Sequence, residues 1–345
     1  MDKLKIAIDI GPLKSGDSIR GIGVYTRELL RAMNLDGVDV FNSDLGKYDI
    51  VHFTRFNPFK ISVPFNKPLH TKYILTIYDL IPLIYPRHYP PGIRGMVSWQ
   101  INKYLIKKNI DEIVTISETS KKDICRFLGV NPSKVHVVYL SARSMFRKME
   151  FTEKWRESWV LESGGKRVPK KFALYVGDIN YNKNIPTLVK ACKIAGIPLV
   201  IAGKQAAQIE KLDLHHPELS HLRGVDWSNV IRVGFVPDDI LVELYNLATV
   251  YIQPSFYEGF GLPILEANAA GVPVIAAKTQ ALVEIADDSA LFADPKGVED
   301  FTEKIMMIIK DEVLRNSLIR SGLENSRRFS WEKTAKETSS VYAEI

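Results

Sequence analysis

The sequence predicts an α/β protein with two doubly wound domains, each built on a parallel sheet with helices on both faces. Three observations lead to this fold class. Segments with strand and helix patterns alternate along nearly the whole chain, the strand segments are apolar throughout, and a charged, poorly periodic stretch separates two such series. Alternating strands and helices are typical of parallel sheets, and continuously apolar strands indicate burial on both faces.

The first domain is predicted at residues 1–150. Its first strand, at residues 5–10, is followed by a loop rich in Gly and Ser. In chain order the strand and helix segments are KIAIDI, VYTRELLRAM, YDIVHFTRF, KYILTIYDL, GMVSWQINKYLIKKN, DEIVTIS, ETSKKDICRFLG and KVHVVYL. In such sheets ligands bind beyond the carboxyl ends of the strands, so the loops after these strands are candidate binding segments.

A linker is predicted at residues 151–170, where the chain is charged and ends in SGGKRVPKK. The second domain is predicted at residues 171–328, because a new series of strands and helices begins at FALYVG and continues to GVEDFTEKIMMIIKD. A last helix at residues 329–345 has Ser330 as its predicted N-cap and is expected to pack back toward the first domain.

The composition is that of a globular protein: 345 residues, of which 46% are hydrophobic and 25% charged. Every apolar run is shorter than the ~18 residues of a membrane-spanning helix, and the N-terminus lacks the pattern of a signal peptide. Cys125 and Cys192 lie far apart within helical patterns, which favours buried thiols over a disulfide. We therefore expect a cytoplasmic location.

Positive charge is concentrated in the first domain. Residues 1–150 contain 23 Lys and Arg and 14 Asp and Glu, a difference of +9, whereas the remaining residues contain 46−23 = 23 basic and 40−14 = 26 acidic residues, a difference of −3. The first domain is therefore the part of the chain that attracts anionic partners, such as phosphates or an anionic membrane face.

The segment RGIGVYTREL places Gly21 and Gly23 just before a predicted helix, where backbone N–H groups can bind phosphate. Thr26 replaces the third glycine of a dinucleotide fingerprint, and the segment follows the strand by about ten residues rather than directly. A flexible turn and an anion-binding loop both remain open. The sequence has no GxxxxGK[ST] motif and no Asp-x-Asp, so neither a P-loop nor a metal site is expected.

Two loops of the second domain contain candidate catalytic side chains. Lys183 stands between a predicted strand and helix, and it is either a ligand-binding cation or a solvated surface lysine. In FYEGFGLPILEANAAG, Glu258 and Glu266 bracket a glycine-rich loop and a helix start at Pro263. Carboxylates next to amide donors suit a phosphorylated, polyhydroxylated ligand. Alternatively, Glu266 only complements the helix dipole.

Together these segments resemble the family 4 retaining glycosyltransferases, and the last of them resembles the E-x7-E motif of that family. The resemblance covers nearly the whole chain, because GIGVYTREL, YDIVHF, TIYDLIPL, IVTISETSKKDI, LVIAG, VGFVPDDIL, YIQPSFYEGFGLPILEANAAGVPVIA and FSWEKTA occur in the expected order. It implies the GT-B fold, with two Rossmann-like domains that face a central cleft, and transfer of a hexose from a nucleotide diphosphate sugar without a metal. No nucleic acid partner is implied.

The resemblance also assigns roles to residues. Glu258 and the loop after it would contact the donor sugar, Glu266 would bind the ribose hydroxyls, and Lys183 would bind the diphosphate. The implied donor-binding residues are Gly21, Gly23, Lys183, Phe235, Val236, Glu258, Gly259, Phe260, Gly261, Leu262 and Glu266. Phe235 and Val236 are candidates for the nucleobase pocket, with ordinary core packing as the alternative.

The chain departs from the family pattern at two positions. Tyr78 stands where many relatives have a histidine that contacts the sugar, and Asp178 stands where the family often has an arginine. The implied catalytic residues are therefore Lys183, Glu258, Tyr78 and Asp79, with Tyr78 and Asp79 as a sugar-facing loop and without a general base. The two departures put the strength of catalysis in doubt, so a non-catalytic sugar-nucleotide binder stays open.

Three further hypotheses concern substrates and partners. The motifs resemble those of mannosyltransferases of surface-polysaccharide synthesis, which favours GDP-mannose as donor, followed by UDP-glucose, and a glycan or lipid-linked acceptor.

The basic helix GIRGMVSWQINKYLIKKN has two possible roles. It either lies on the inner face of an anionic membrane or packs in the core with a solvated basic face. The membrane-facing residues would be Met96, Trp99, Ile101 and Tyr104, and the basic face would be Arg94, Lys103, Lys107 and Lys108. The competing enzyme classes are a GT-B nucleotide-sugar epimerase and an NAD oxidoreductase, and the displaced GIG loop disfavours the latter.

Overall fold

The computed structural model describes residues 4–14, 21–151 and 168–345. The chain divides into two compact units, Met1–Ser141 with Phe329–Ile345, and Ala142–Arg328. The second unit begins before the predicted boundary at residue 150, because Phe146 is buried in its core and Met145 and Met149 pack against that core. Most of the predicted linker, residues 152–167, lies outside the described residues. The domain boundaries and the linker therefore stay predictions.

The first unit is built on a five-stranded sheet in the order β1-β2-β3-β4-β5, and all neighbouring strands are parallel. Val38 bridges to Asp9 on the side of β1 away from β2, so the sheet extends in both directions from β1. Its strands are β1 (Ile6–Ile8), β2 (Ile50–Phe53), β3 (Lys72–Thr76), β4 (Glu112–Thr115) and β5 (Val135–Val137). Its helices are α1 (Gly21–Met33), α2 (Ile81–Ile84), α3 (Gly92–Asn109), α4 (Glu118–Leu128) and a C-terminal helix (Trp331–Ala343).

The C-terminal helix is attached to the sheet of the first unit by buried polar groups. Ser330 caps the helix, since its side chain accepts a hydrogen bond from Lys333 N. His52 lies within β2 and is fully buried, with Nδ1 2.6 Å from the Tyr342 hydroxyl and Nε2 2.7 Å from Thr76 Oγ1. Both ring nitrogens are therefore satisfied inside the protein, which is what a buried polar side chain requires.

The second unit contains a six-stranded parallel sheet in the order β11-β10-β9-β6-β7-β8. Its strands are β6 (Ala173–Val176), β7 (Leu199–Ala202), β8 (Val230–Gly234), β9 (Val250–Gln253), β10 (Val274–Ala277) and β11 (Ala290–Ala293). Its helices are α5 (Ile185–Ile194), α6 (Lys204–Ala207), α7 (Asp238–Leu247), α8 (Leu262–Ala269), α9 (Gln280–Ala286), α10 (Val298–Lys310) and α11 (Glu312–Ser326). The predicted fold class, two doubly wound α/β parallel-sheet units, is confirmed.

The strand order of the second unit reverses direction between β6 and β9. The chain builds outward from β6 through β7 to β8, then returns to β9 on the other side of β6 and builds outward through β10 to β11. This is the arrangement in which ligands bind beyond the carboxyl ends of the strands at the point of reversal. The loops after β6 and β9 are therefore the first place to look for a site.

Two glycines allow loops to meet at this edge of the sheet. A Cβ atom at Gly203, directly after β7, would lie 2.1 Å from the carbonyl oxygen of Gly177, directly after β6. Any other residue at position 203 would push the two backbones apart.

Among the described residues, no helix is both long enough and apolar enough to cross a membrane.

The burial of His52 predicts that acid destabilises the first unit. Burial lowers the pKa of His52 from 6.5 to about 3, so the unfolded chain takes up a proton at higher pH than the folded protein. The contribution of His52 to the free energy of unfolding should therefore fall as the pH decreases from 6.5 toward 3, by up to about 1.4 kcal/mol per pH unit. Urea unfolding at pH 7 and pH 4 measures this contribution as the difference between the wild type and His52→Gln, and that difference should change between the two pH values. The exposed His70→Gln serves as the control, and an equal pH dependence in all three proteins contradicts the prediction.

Candidate active site

The loops that follow β6 and β9 meet at the point where the strand order of the second unit reverses. Phe256 N donates to the Asn182 carbonyl at 2.8 Å, and Asn182 Nδ2 donates to the Tyr257 carbonyl at 3.0 Å. Asn184 Nδ2 donates to the Pro254 carbonyl at 2.9 Å. These three bonds fix the position of the short turn Tyr181–Lys183 against the loop after β9.

Lys183 and Glu258 form an ion pair across these two loops. Lys183 Nζ lies 2.7 Å from Glu258 Oε1 and 2.8 Å from Oε2. The Glu258 side chain is 9% exposed and that of Lys183 is 23% exposed. Because a buried carboxylate is unfavourable without a partner, Lys183 compensates for the burial of Glu258, and the partial exposure of Lys183 lets it also face a ligand.

Three further side chains from β9 and its loop orient Glu258. Gln253 Nε2 donates to Glu258 Oε1 at 2.8 Å and Ser255 Oγ donates to the same oxygen at 2.7 Å. The Tyr251 hydroxyl donates in turn to Gln253 Oε1. With Lys183, these donors leave the carboxylate little freedom to rotate, which is the kind of preorganisation that catalytic sites require.

The glycine-rich loop after Glu258 leads directly into helix α8. Gly261 has φ +105°, a conformation that side chains disfavour, and a Cβ atom there would lie 2.8 Å from Leu282 Cδ2. Gly259 and Phe260 are buried, and Leu262 is the first residue of α8. Since the amides of the first helical turn lack partners within the helix, this loop brings hydrogen-bond donors to the same edge of the sheet as Lys183.

Glu266 lies in the second turn of α8, and not in the first, where a helix dipole would favour it. The residue is 7% exposed, and Tyr245 donates its hydroxyl to Glu266 Oε2 at 3.0 Å. Burial raises the pKa of Glu266 to about 7, and the nearby Arg143 opposes this shift. Arg143 itself pairs with Asp238 through two bonds of 2.5 and 2.9 Å. Dipole complementation therefore does not explain Glu266.

The predicted nucleobase residues lie in different environments. Val236 is 6% exposed and belongs to the hydrophobic core of the second unit, as the core-packing alternative expects, whereas Phe235 is 55% exposed. A nucleobase pocket at Phe235 and Val236 stays a prediction.

Asp178, which stands where the family often has an arginine, has a hydrogen bond within the second unit. Its carbonyl accepts a hydrogen bond of 2.7 Å from the Tyr175 hydroxyl.

The candidate residues of the first unit are near its own strand ends. Gly21 and Gly23 lie inside the first turn of α1 and not before the helix, so the prediction that they precede the helix is wrong. The helix begins at Gly21, before the predicted start at Val24, because the cost of glycine applies to the middle of a helix rather than to its first turn. Residues 15–20 of the predicted loop lie outside the described residues.

Tyr78 and Asp79 have hydrogen-bond partners within the first unit. The Tyr78 hydroxyl donates to the Thr54 carbonyl at 2.8 Å, and its ring lies edge-on to Tyr25 at 5.3 Å. Burial raises the pKa of Tyr78 well above 10. Asp79 Oδ1 accepts from Ile81 N at 3.1 Å. A role for this loop at the sugar therefore stays a prediction, and Tyr78 has a structural role in any case.

Several polar residues of the site were missed in the sequence. They are Asn182, Asn184, Tyr245, Gln253 and Ser255. A signal existed for Gln253, which is a polar residue at the end of an apolar strand. Among the described residues, no three or more His, Cys, Asp or Glu are grouped as a metal site.

Two family models match the chain. Glycosyl transferases group 1 matches residues 160–325, and Glycosyltransferase Family 4 matches residues 42–141. The O-antigen chain mannosyltransferase B of Escherichia coli is 27% identical over 78% of this chain and 69% of its own length. The serotype-specific mannosyltransferase WbdA of Escherichia coli is 27% identical over 83% of this chain, which spans 36% of the length of WbdA.

The solved structures include proteins of the same fold. Anabaena HepE, in complex with UDP and glucose, superposes with a TM-score of 0.71 at 14% identity, covering 99% of this chain and 100% of HepE. At that identity the likeness shows the fold alone.

The pKa of Glu266 predicts how pH affects the second unit. Because its folded value, about 7, is above the value of 4.5 expected when exposed, the folded protein holds this proton more tightly. The contribution of Glu266 to the free energy of unfolding should therefore be largest below pH 4.5 and fall as the pH rises to 7, by up to about 3 kcal/mol. Urea unfolding at pH 5 and pH 8 measures this contribution as the difference between the wild type and Glu266→Gln, and that difference should change between the two pH values. The exposed Glu303→Gln should keep the pH dependence of the wild type, and a Glu266→Gln variant with the same pH dependence as the wild type contradicts the prediction.

Proposed function

The chain belongs to the family 4 glycosyltransferases, and we propose that it transfers a hexose, with retention, from a nucleotide diphosphate sugar to a hydroxyl group of a glycan or lipid-linked acceptor. One observation carries the proposal. The Lys183–Glu258 pair lies at the point of strand reversal in the second unit, beside a glycine-rich loop and a helix start. This combination suits a ligand with both phosphates and hydroxyl groups.

Different residues of the second unit bind different parts of the donor. Lys183 and the amides at Gly261 and Leu262 bind the diphosphate, and Glu258 accepts hydrogen bonds from the hydroxyl groups of the sugar. Glu266 accepts hydrogen bonds from the ribose hydroxyls, because its carboxylate now has a single described hydrogen bond, from Tyr245. When the diphosphate binds, Lys183 contacts both Glu258 and the phosphate.

The reaction breaks the bond between the anomeric carbon and the diphosphate oxygen and forms a bond from the acceptor oxygen to the same carbon. The electron pair of the broken bond stays on the diphosphate, where Lys183 and the helix amides stabilise the developing charge. The departing phosphate takes the proton of the acceptor hydroxyl on the same face of the sugar. Lys183 thus supplies positive charge at the diphosphate, and the proposal requires no metal ion there.

GDP-mannose is the favoured donor and UDP-glucose the second. The support for mannose is that the chain resembles two Escherichia coli proteins named as mannosyltransferases. A nucleotide-sugar epimerase, the alternative enzyme, would convert the donor with no acceptor present. Analysis of the products formed from the donor alone separates the two activities.

Thermal unfolding with a panel of nucleotide sugars tests the donor site. A ligand at ~100 times its dissociation constant adds roughly 2.7 kcal/mol of stability, so the true donor should shift the melting temperature clearly. Glu266→Ala should weaken this shift, because the ribose loses its acceptor. Lys183→Ala should suppress turnover, and the exposed Lys190→Ala should leave both unchanged. Unchanged binding and transfer in the first two variants contradict the site assignment.

We also propose that helix α3 contacts an anionic membrane and brings the first unit to a lipid-linked acceptor. Ile93, Met96, Val97 and Tyr104 are 83%, 61%, 54% and 62% exposed, and their spacing puts them along one side of the helix. The basic residues Arg94, Lys107 and Lys108 are also exposed. Trp99 and Ile101 instead pack against the core, so half of the predicted apolar contacts are structural.

Sedimentation with vesicles of phosphatidylcholine and phosphatidylglycerol tests this contact. The double variant Ile93→Ser/Val97→Ser should lower vesicle binding more than tenfold, since each apolar side chain that enters the bilayer contributes about 1.5–3 kcal/mol. Val313→Ser, which replaces an 81% exposed residue of the second unit, is the matched control. Binding should also weaken as salt is added. Equal binding of all three proteins, or no binding of the wild type, contradicts the proposal.

A further inference from the structure

Glu266 is a buried carboxylate of the candidate donor site that lacks a directly paired cation. The residue is 7% exposed, and its described hydrogen bond comes from the Tyr245 hydroxyl at 3.0 Å. Among the described residues, no Lys or Arg forms an ion pair with Glu266, whereas Glu258 pairs with Lys183. Because burial penalises an unpaired charge, the charge of Glu266 depends on groups farther away.

Arg143 and Asp238 are the charged residues that act on Glu266, and they act in opposite directions. Arg143 favours the carboxylate form of Glu266, and Asp238 disfavours it. The two are also paired with each other, since Arg143 Nη1 and Nη2 lie 2.5 and 2.9 Å from the two carboxylate oxygens of Asp238. The side chain of Asp238 is 53% exposed and that of Arg143 is 11% exposed. Asp238 therefore offsets, from the surface, the buried cation that would otherwise stabilise the charge of Glu266.

Two aromatic rings and one helix hold the ion pair and Glu266 in a fixed arrangement. The guanidinium of Arg143 lies over the Phe146 ring, 5.1 Å from its centroid, and the Phe146 ring meets the Tyr245 ring edge-on at 5.6 Å. Asp238 and Tyr245 both belong to α7, and their spacing of seven residues puts them on the same side of it. Helix α7 thus binds Arg143 with its first turn and Glu266 with its last.

The other elements around α8 face it mainly with neutral groups. Burial raises the pKa of Tyr251 in β9 well above 10, with Glu266 adding to the shift, so this tyrosine stays neutral. Helix α11 packs against the neutral Asn268, and α9 faces the start of α8 with Leu282. The stem of Lys148 packs at the C-terminal end of α8, more than one turn beyond Glu266, and Lys148 itself is exposed.

We propose that Arg143 and Asp238 are positioning residues that set the charge of Glu266, so that binding of the donor releases a proton. Below neutral pH the free site holds a proton on Glu266. The ribose hydroxyls displace this proton to the solvent, because two O–H donors require a carboxylate whose oxygens both accept. Burial raises the pKa of Glu266 to about 7, which puts the exchange near neutral pH. The proposal rests on the proposed function, in which Glu266 binds the ribose.

Calorimetric titration of the full chain with GDP-mannose and with UDP-glucose, at pH 6 and pH 8, tests the coupling. The phosphates of both compounds keep the same charge over this range, so a change in affinity reports on the protein. If the carboxylate form alone binds the ribose, the dissociation constant should be about tenfold higher at pH 6 than at pH 8. At pH 6 binding should release about one proton, measured from the heats in buffers of different ionisation enthalpy.

Four variants assign this pH ratio to named residues. Glu266→Gln should bind weakly and equally at both pH values. Asp238→Asn should lower the ratio to about threefold or less, because Arg143 without its offsetting anion favours the carboxylate at both pH values. Arg143→Gln should raise the ratio above about tenfold for the opposite reason, and Arg143→Lys, which keeps the positive charge, should leave it near the wild-type value.

Asp239→Asn is the matched control. Asp239 is the next residue in the first turn of α7, is exposed like Asp238 and carries the same charge, so its removal should preserve the ratio of about tenfold. A lost fold would change affinity at both pH values alike, whereas the ratio between them reports on the charge of Glu266. If Asp238→Asn does not fold, Arg143→Gln decides.

Two results overturn the proposal while leaving the proposed function intact. They are equal affinity of the wild type at pH 6 and pH 8, and a ratio in Asp238→Asn and Arg143→Gln that matches that of Asp239→Asn. In both cases the nucleotide sugar still binds, so the donor site stands without the proton coupling. Failure of the wild type to bind either nucleotide sugar at any pH overturns the proposed function and this proposal together.

Discussion

The side chain of Asn184 provides the hydrogen bonds on which the candidate donor site depends. Its amide donates to the carbonyls of Pro254 and Pro295, at 2.9 and 2.6 Å, and thereby joins the loops after β6, β9 and β11. The backbone contributes one further bond between two of these loops, from Phe256 N to the Asn182 carbonyl at 2.8 Å. Asn184 has φ +55°, a conformation that asparagine tolerates better than most residues. Lys183 precedes it directly, and its position opposite Glu258 follows from this anchor.

The two glutamates of the glycine-rich segment are buried to a similar extent but are stabilised in different ways. Glu258 accepts hydrogen bonds from a lysine and two neutral donors, which together compensate for its burial. Glu266 receives one tyrosine hydroxyl and lies near Arg143, which is already paired with Asp238, and its pKa is raised to about 7. Two carboxylates in one site can thus take separate roles because their surroundings differ.

Strand order explains why the second unit offers a place for a ligand. In the second unit the reversal between β6 and β9 brings together loops that are about 70 residues apart in the chain, as the bond between Asn184 and Pro254 shows.

The sequence alone determined the fold class and the family. Strands that are buried on both faces must be apolar, so their alternation with helices was visible, and the spacing of Glu258 and Glu266 marked the glycine-rich loop. Only the tertiary structure decided what surrounds those residues. Asn184 and Tyr245 lack any local pattern that distinguishes them from other polar residues, and the lysine that pairs with Glu258 lies 75 residues away in the chain.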